Sequence, residues 1–323
     1  MQLSALISDY SLHHLDHLAP LCHFLEIPLL VTDVLVKEIG EKCYPGLVIH
    51  ELSTQSIEDY DGIISCLPRQ LLDPLLFLSE EMSGKKLLRI WCPHGNSDKG
   101  HIAPLMEGLK SESLVLVYGQ KMLDFIEEKN GALSNYLVVG NYRYHHYLHF
   151  KSFYDSWVDK EIPEEKNLLY APTWNDAEGS CSLTSALPFL SEEVFVKPHP
   201  NTLFQFPHLI DNLKNKHNHL YFLESHIPIY PLLERAKAYI GDMSSIGYDY
   251  LAFNRPMFFF NPQRREDRDK GLYLHRCGEE MPTSLLNHQE HLQEIRQRVY
   301  DYTFSRVDPT SLKSELLKKI RSL

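Results

Sequence analysis

The feature that most restricts how this chain can fold is an alternation that runs through it twice. Short runs of Leu, Ile and Val are each followed by a stretch with helical spacing. The first series places apolar runs at residues 3–7, 28–31, 47–49, 62–66, 87–91, 114–118 and 136–139. The second places them at 167–170, 194–197, 220–223, 238–240 and 257–260. Runs that are apolar on both faces and separated by helices predict parallel sheets covered on both sides. Two such series predict an α/β protein of two doubly wound, Rossmann-like domains facing across a cleft. Ligands then bind at the carboxyl ends of the strands.

A charged stretch at 151–166, containing Asp155, Asp159, Lys160, Glu161, Pro163 and Glu164, separates the series and reads as a linker. The expected domains are 1–157 and 158–323, the second ending in a helical tail over 288–323. A length of 323 residues fits two domains of ordinary size. The net charge of −11 argues against a phosphate-backbone partner, so no nucleic acid is expected. Arg264, Arg265, Arg268 and Lys270 alternate with acidic residues and read as a solvated loop. No apolar run reaches membrane-spanning length, and no signal-like start is present. The six cysteines are scattered without any CxxC and read as buried thiols of a cytoplasmic protein.

Five polar clusters fall just after expected strands. The first holds His94, Gly95 and Lys99 after the run 87–91. A histidine beside a glycine suits a general base or, equally, a loop imidazole bonded to backbone. The second is Gly140 to Arg143, whose arginine either reaches an anion or pins a carboxylate. In the third, Tyr170-Ala171-Pro172-Thr173-Trp174, the threonine and indole either hold and stack on a ligand or form a turn over a core tryptophan. The fourth, Lys197-Pro198-His199-Pro200, has prolines that stiffen the lysine and histidine, which suits a diphosphate.

The fifth runs from Tyr239 to Pro262 and reads as strand, tight turn, helix, turn, strand. Asp242, Ser244 and Ser245 stand at the helix start, where unpaired N–H groups bind phosphate or are simply capped. Asp249, four residues after Ser245, lies on the same helical face. His13, His14 and His17, and likewise His145, His146 and His149, have helical spacing but no carboxylate in register. Both groups read as surface helix faces, not metal sites, and no metal is expected.

In this order the clusters resemble the CDP-glycerol glycerophosphotransferase family, the teichoic-acid primases and polymerases. The matching motifs are HGNSDK (94–99), GNYR (140–143), YAPTW (170–174), KPHP (197–200) and GDMSSIGYDY (241–250), then Arg255-Pro256 and Lys270-Gly271-Leu272-Tyr273. Cys92-Pro93 stands before His94 where the family carries its tryptophan, and the tryptophan is displaced to Trp91. The resemblance implies a GT-B fold and a transferase that moves glycerol phosphate, or a related polyol phosphate, from a CDP-linked donor. It implies His94 as the base and His199 as the second catalytic residue. Gly95, Arg143, Thr173, Trp174, Lys197, Asp242, Ser244, Ser245 and Asp249 would bind substrate, and no cofactor is implied. The acceptor would be glycerol phosphate or a lipid-linked or glycan chain of the cell envelope, with peripheral contact at the inner membrane face. A GT-B sugar transferase, a UDP-GlcNAc 2-epimerase-like enzyme and a non-catalytic nucleotide-binding relative are the alternatives.

Overall fold

A computed structural model of the chain describes residues 1–52, 57–96, 108–174, 181–262, 264, 274–281 and 289–323. Lys99, Arg265, Arg268 and the stretch 270–273 lie outside the described residues. The chain divides into two units. The first comprises 1–94, 102–146 and 302–323, and the second 95–101 and 147–301.

The first unit is built on a seven-stranded parallel sheet of order β3-β2-β1-β4-β5-β6-β7. The strands are β1 (Leu3–Ile7), β2 (Leu29–Val31), β3 (Ile49–Glu51), β4 (Gly62–Ser65), β5 (Leu88–Trp91), β6 (Leu114–Val117) and β7 (Tyr136–Val138). Every residue of β1 is buried, as a central strand covered on both faces requires. Strand order reverses between β1 and β4, where Ala5 pairs with Ile64 on one side and Leu29 on the other. Helix α1 (Leu12–Leu25) follows β1 directly.

The second unit carries a six-stranded parallel sheet of order β10-β9-β8-β11-β12-β13. Its strands are β8 (Leu168–Tyr170), β9 (Val194–Val196), β10 (Tyr221–Phe222), β11 (Ala238–Gly241), β12 (Met257–Phe259) and β13 (Glu279–Glu280). Here the order reverses between β8 and β11. The core beneath is lined by Tyr170, Leu187, Val194, Val196, Ile240 and Phe258. Both sheets, with the helices that follow their strands, form the expected α/β architecture, and the stretch 238–260 folds as strand, turn, helix, turn and strand.

Three expectations differ from the structure. The stretch 151–166 is largely a helix, Lys151–Glu161, which belongs to the second unit and packs on the helix Ile229–Arg235. Its charges mask an apolar stripe: Tyr154 and Val158, four apart, are buried. The end of the chain does not stay with the second unit, since residues 302–323 return to the first. Leu312, Leu316 and Ile320 recur every four residues on the helix Leu312–Arg321 and are buried, and that helix packs on α1. The helical histidines are not a plain surface face either: His14, His17 and His146 are buried. His146 sits among the rings of His23, Phe24 and Tyr44.

Candidate active site

In the second unit the predicted residues gather where the strand order reverses, at the carboxyl ends of β8 and β11. Asp242 directly follows β11, and its carboxylate is committed to the protein. Oδ1 accepts from the backbone N–H of Thr173 at 2.9 Å. Oδ2 accepts from the N–H of Ser182 at 2.9 Å and from its hydroxyl at 2.8 Å. The fully buried carboxylate thus splices the turn after β8 to the turn after β11. Burial and the Asp242 charge push the hydroxyls of Tyr170 and Tyr239 well above the usual tyrosine range, so both stay protonated donors. Tyr239 Oη donates to the carbonyl of Ala171 at 3.3 Å. Its ring folds back along β11, so a Cβ on Gly241 would fall on the tyrosine hydroxyl, and only glycine fits there.

Ser244 is buried, and its Oγ accepts from the N–H of Ile246 at 3.4 Å. Ser245 stands before the helix Ile246–Tyr250 without a side-chain capping bond. Gly95 has φ of +126° and presses on Ser245: a Cβ there would lie 2.6 Å from Ser245 Oγ. Asp249 is buried and accepts from the hydroxyl of Tyr230 at 3.0 Å. Trp174, half-buried, tilts over the ring of His199 with centroids 6.3 Å apart. His199 precedes the helix Pro200–Gln205, and its Nδ1 accepts from the N–H of Asn201 at 3.1 Å. An accepting nitrogen carries no proton, so the ring proton sits on Nε2, which makes that atom a donor. Lys197 is half-buried at the end of β9. Arg255 is spent on structure: it donates to the carbonyls of Glu234 and Ala236 and lies over the Phe253 ring.

In the first unit His94 follows β5, its side chain solvent-accessible. The surrounding protein desolvates it all the same and lowers its pKa. The loop that carries it is pinned by Tyr118, whose hydroxyl donates to the carbonyl of Pro93 at 2.9 Å and meets His17 Nδ1 at 2.7 Å. Because the phenol proton goes to Pro93, His17 Nδ1 is the donor in that contact. Tyr142 Oη donates to the carbonyl of His17 at 3.0 Å. Arg143 is buried, and its Nε donates to the carbonyl of Asp16 at 2.8 Å. The structure thus brings Arg143 to α1. Among the described residues no group of three His, Cys, Asp or Glu side chains could hold a metal ion.

Residues 158–309 match the family CDP-Glycerol:Poly(glycerophosphate) glycerophosphotransferase. Over that stretch, a little under half of its length, the chain is similar to this family. Among solved structures the fold resembles the wall teichoic acid polymerase TagF, with a TM-score of 0.66 and 15% identity over 99% of this chain and 89% of that one. Similar values hold for a TagF structure soaked with CDPG, at a TM-score of 0.66 and 15% identity. The Anabaena protein HepE in complex with UDP-glucose is also similar, at a TM-score of 0.60 and 10% identity over the whole of both chains. These likenesses give the fold, which is GT-B. No curated protein sequence matches the chain.

Several residues around these strand ends escaped the sequence reading. Ser182 and Tyr230, the partners of Asp242 and Asp249, sit in no motif, and nothing in their neighbourhood marks them. His14 and His17 did carry a signal, their helical spacing. What placed them beside His94 was the pairing of β1 with β4 and β4 with β5.

Proposed function

We propose that the protein transfers glycerol phosphate, or a related polyol phosphate, from a CDP-linked donor to an acceptor hydroxyl. The observation that carries this reading is the family match over the second unit, whose strand ends gather Thr173, Trp174, Lys197, His199 and Ser244-Ser245. Ser244, Ser245, His199 Nε2 and Lys197 are the groups that would hold the diphosphate. Trp174 offers an indole face to the nucleotide, and Asp242 and Asp249 hold the surrounding turns. His94 in its neutral form would take the proton of the acceptor hydroxyl as its oxygen attacks the β-phosphorus. The bond from that phosphorus to the bridging oxygen breaks, and CMP leaves with the electron pair. Donors aimed at the spreading negative charge are what such a transfer needs. Arg143, buried against α1, supports the acceptor side by holding that helix. The acceptor belongs to the glycerol phosphate or glycan class. The reading places the protein in the cytoplasm, meeting a lipid-linked acceptor at the inner membrane face; among the described residues no helix is long and apolar enough to cross a membrane.

Melting curves with CDP-glycerol, CDP-ribitol, UDP-glucose, UDP-GlcNAc and CMP, followed by an assay of CMP release, test this. Stabilisation by a CDP-polyol together with acceptor-dependent CMP release is expected. Stabilisation by UDP-sugars alone would replace the reading with a sugar transferase, and no shift with any nucleotide would leave a non-catalytic relative.

A further inference from the structure

The buried histidines of α1 have no role in the reaction as drawn so far, and they stand at the place where the first sheet reverses its strand order. Such a reversal opens a crevice at the carboxyl ends of the strands, the usual site of function in doubly wound sheets. The α1 histidines and His94 all follow strands at this edge, β1 and β5, with β4 between them. His14 is 4% exposed, and its Nδ1 is buried without a hydrogen-bond partner among the described residues. Buried polar atoms are nearly always paired, so an orphan next to a candidate base calls for an explanation. Its ring lies 5.3 Å from that of His94, centroid to centroid, and tilted by 53°. His13 lies 4.3 Å from His14 and 5.8 Å from His94.

The spacing is informative. A linear N–H···N bond of about 2.9 Å between two imidazoles, each with its nitrogens roughly 1.15 Å from the ring centre, puts the centroids about 5.2 Å apart. The His14–His94 pair already has that separation, and turning the rings about their terminal torsions, which are broad, completes the bond. We propose that His14 is the positioning residue of His94: its neutral ring accepts a hydrogen bond from one nitrogen of His94, so that the other nitrogen presents its lone pair to the acceptor hydroxyl. A general base needs a partner that sets its tautomer and orientation, as the third member of a catalytic triad does. An imidazole can serve as that partner only while it is uncharged. Its surroundings keep it so, because His13, His17 and His94 face it, Arg143 adds positive charge beside His17, and burial and these neighbours lower the pKa values of His14 and His17 far below the ordinary value. On taking the hydroxyl proton, His94 becomes imidazolium and keeps its N–H on His14, which strengthens the bond.

This inference rests on reading His94 as the base, so its test has one arm that needs no turnover. Nitrogen-15 NMR of the wild-type protein should show the neutral His94 ring in one dominant tautomer. His14→Phe, which keeps the ring volume and removes both nitrogens, should leave the two tautomers mixed. His14→Asn, whose amide oxygen stands near the place of Nδ1, should restore the single tautomer. With a CDP-polyol donor, His14→Phe is expected to lower turnover ~10- to 100-fold, part of the ~10²–10⁴ that a general base supplies. Donor affinity should be unchanged, and His14→Asn should recover most of the loss. A His94 tautomer that is the same in wild type and His14→Phe overturns the proposal. A tautomer that shifts in a protein with no transferase activity upholds the pairing and removes the transfer reading instead.

Discussion

At the scale of single residues, the second unit depends on Asp242, which receives three protein donors from Thr173 and Ser182. In Asp242→Asn one of the two oxygens becomes an NH2 group facing N–H and O–H donors. A loss on the order of 2–4 kcal/mol in urea-unfolding stability is expected. Gly95→Ala meets both a strained backbone and Ser245, so a lower melting temperature is expected even without ligand. Glu112 makes a prediction of opposite sign. Burial raises its carboxyl to about 7, with Arg69 and Arg89 opposing and Asp73 adding. The folded protein therefore keeps a proton that the unfolded chain gives up near the ordinary glutamate pKa. Stability falls as pH rises through that window and levels off above pH 7. Glu112→Gln should match the wild type at acid pH and exceed it at pH 8, by at most on the order of 3 kcal/mol. Unfolding curves at the two pH values check it. Of these residues, Asp242 and Gly95 stood out in the sequence by position after a strand. Glu112 did not, because nothing local tells a buried glutamate from a surface one.

At the scale of elements, the helix Leu312–Arg321 is the clearest case of a segment whose place depends on a distant partner. Its stripe of Leu312, Leu316 and Ile320 was readable, but the stripe does not say which unit it covers. Leu316→Ala should cost about 2–4 kcal/mol of stability and raise hydrogen exchange in α1, while the sheet of the second unit stays protected. Equal loosening of both units would contradict the placement. The helix Gln293–Thr303 is held to the second unit by Arg296, a buried guanidinium whose hydrogen-bond partners are all neutral. It donates to Asn254 Oδ1 at 2.9 Å, to the carbonyl of Cys277 at 3.2 Å and to Gln289 at 3.2 and 3.3 Å. Arg296→Met leaves those acceptors buried and should destabilise by roughly 2–4 kcal/mol in the same assay. The same logic explains the stretch 151–161. Its charge density reads as a linker, yet two buried side chains four apart were enough to make it a packed helix.

At the scale of the whole molecule, the buried imidazoles set the acid limit of stability. His14 and His17 have pKa values well below the ordinary histidine value, chiefly through burial. Below about pH 6.5 the unfolded chain takes up protons at these positions while the folded protein does not, so stability drops as pH falls from there. Denaturation at fixed ionic strength between pH 7 and pH 5, carried out on Glu112→Gln so that the opposing carboxyl is removed, should show this drop, and adding His14→Phe should flatten it. A donor bound as proposed should slow hydrogen exchange around 171–174, 197–201 and 242–247 before it affects the first unit. The sequence alone determined the two parallel sheets, the order of their strands along the chain and the motifs at their carboxyl ends, because apolar periodicity and strand-end glycines are local signals. Tertiary structure decided which strands became neighbours, and so which motif residues, like Asp242 and Arg255, hold the frame. It also decided that two histidines with the look of a surface face, His14 and His17, lie buried beside His94. Burial depends on what packs against a helix, and for α1 that partner comes from the far end of the chain.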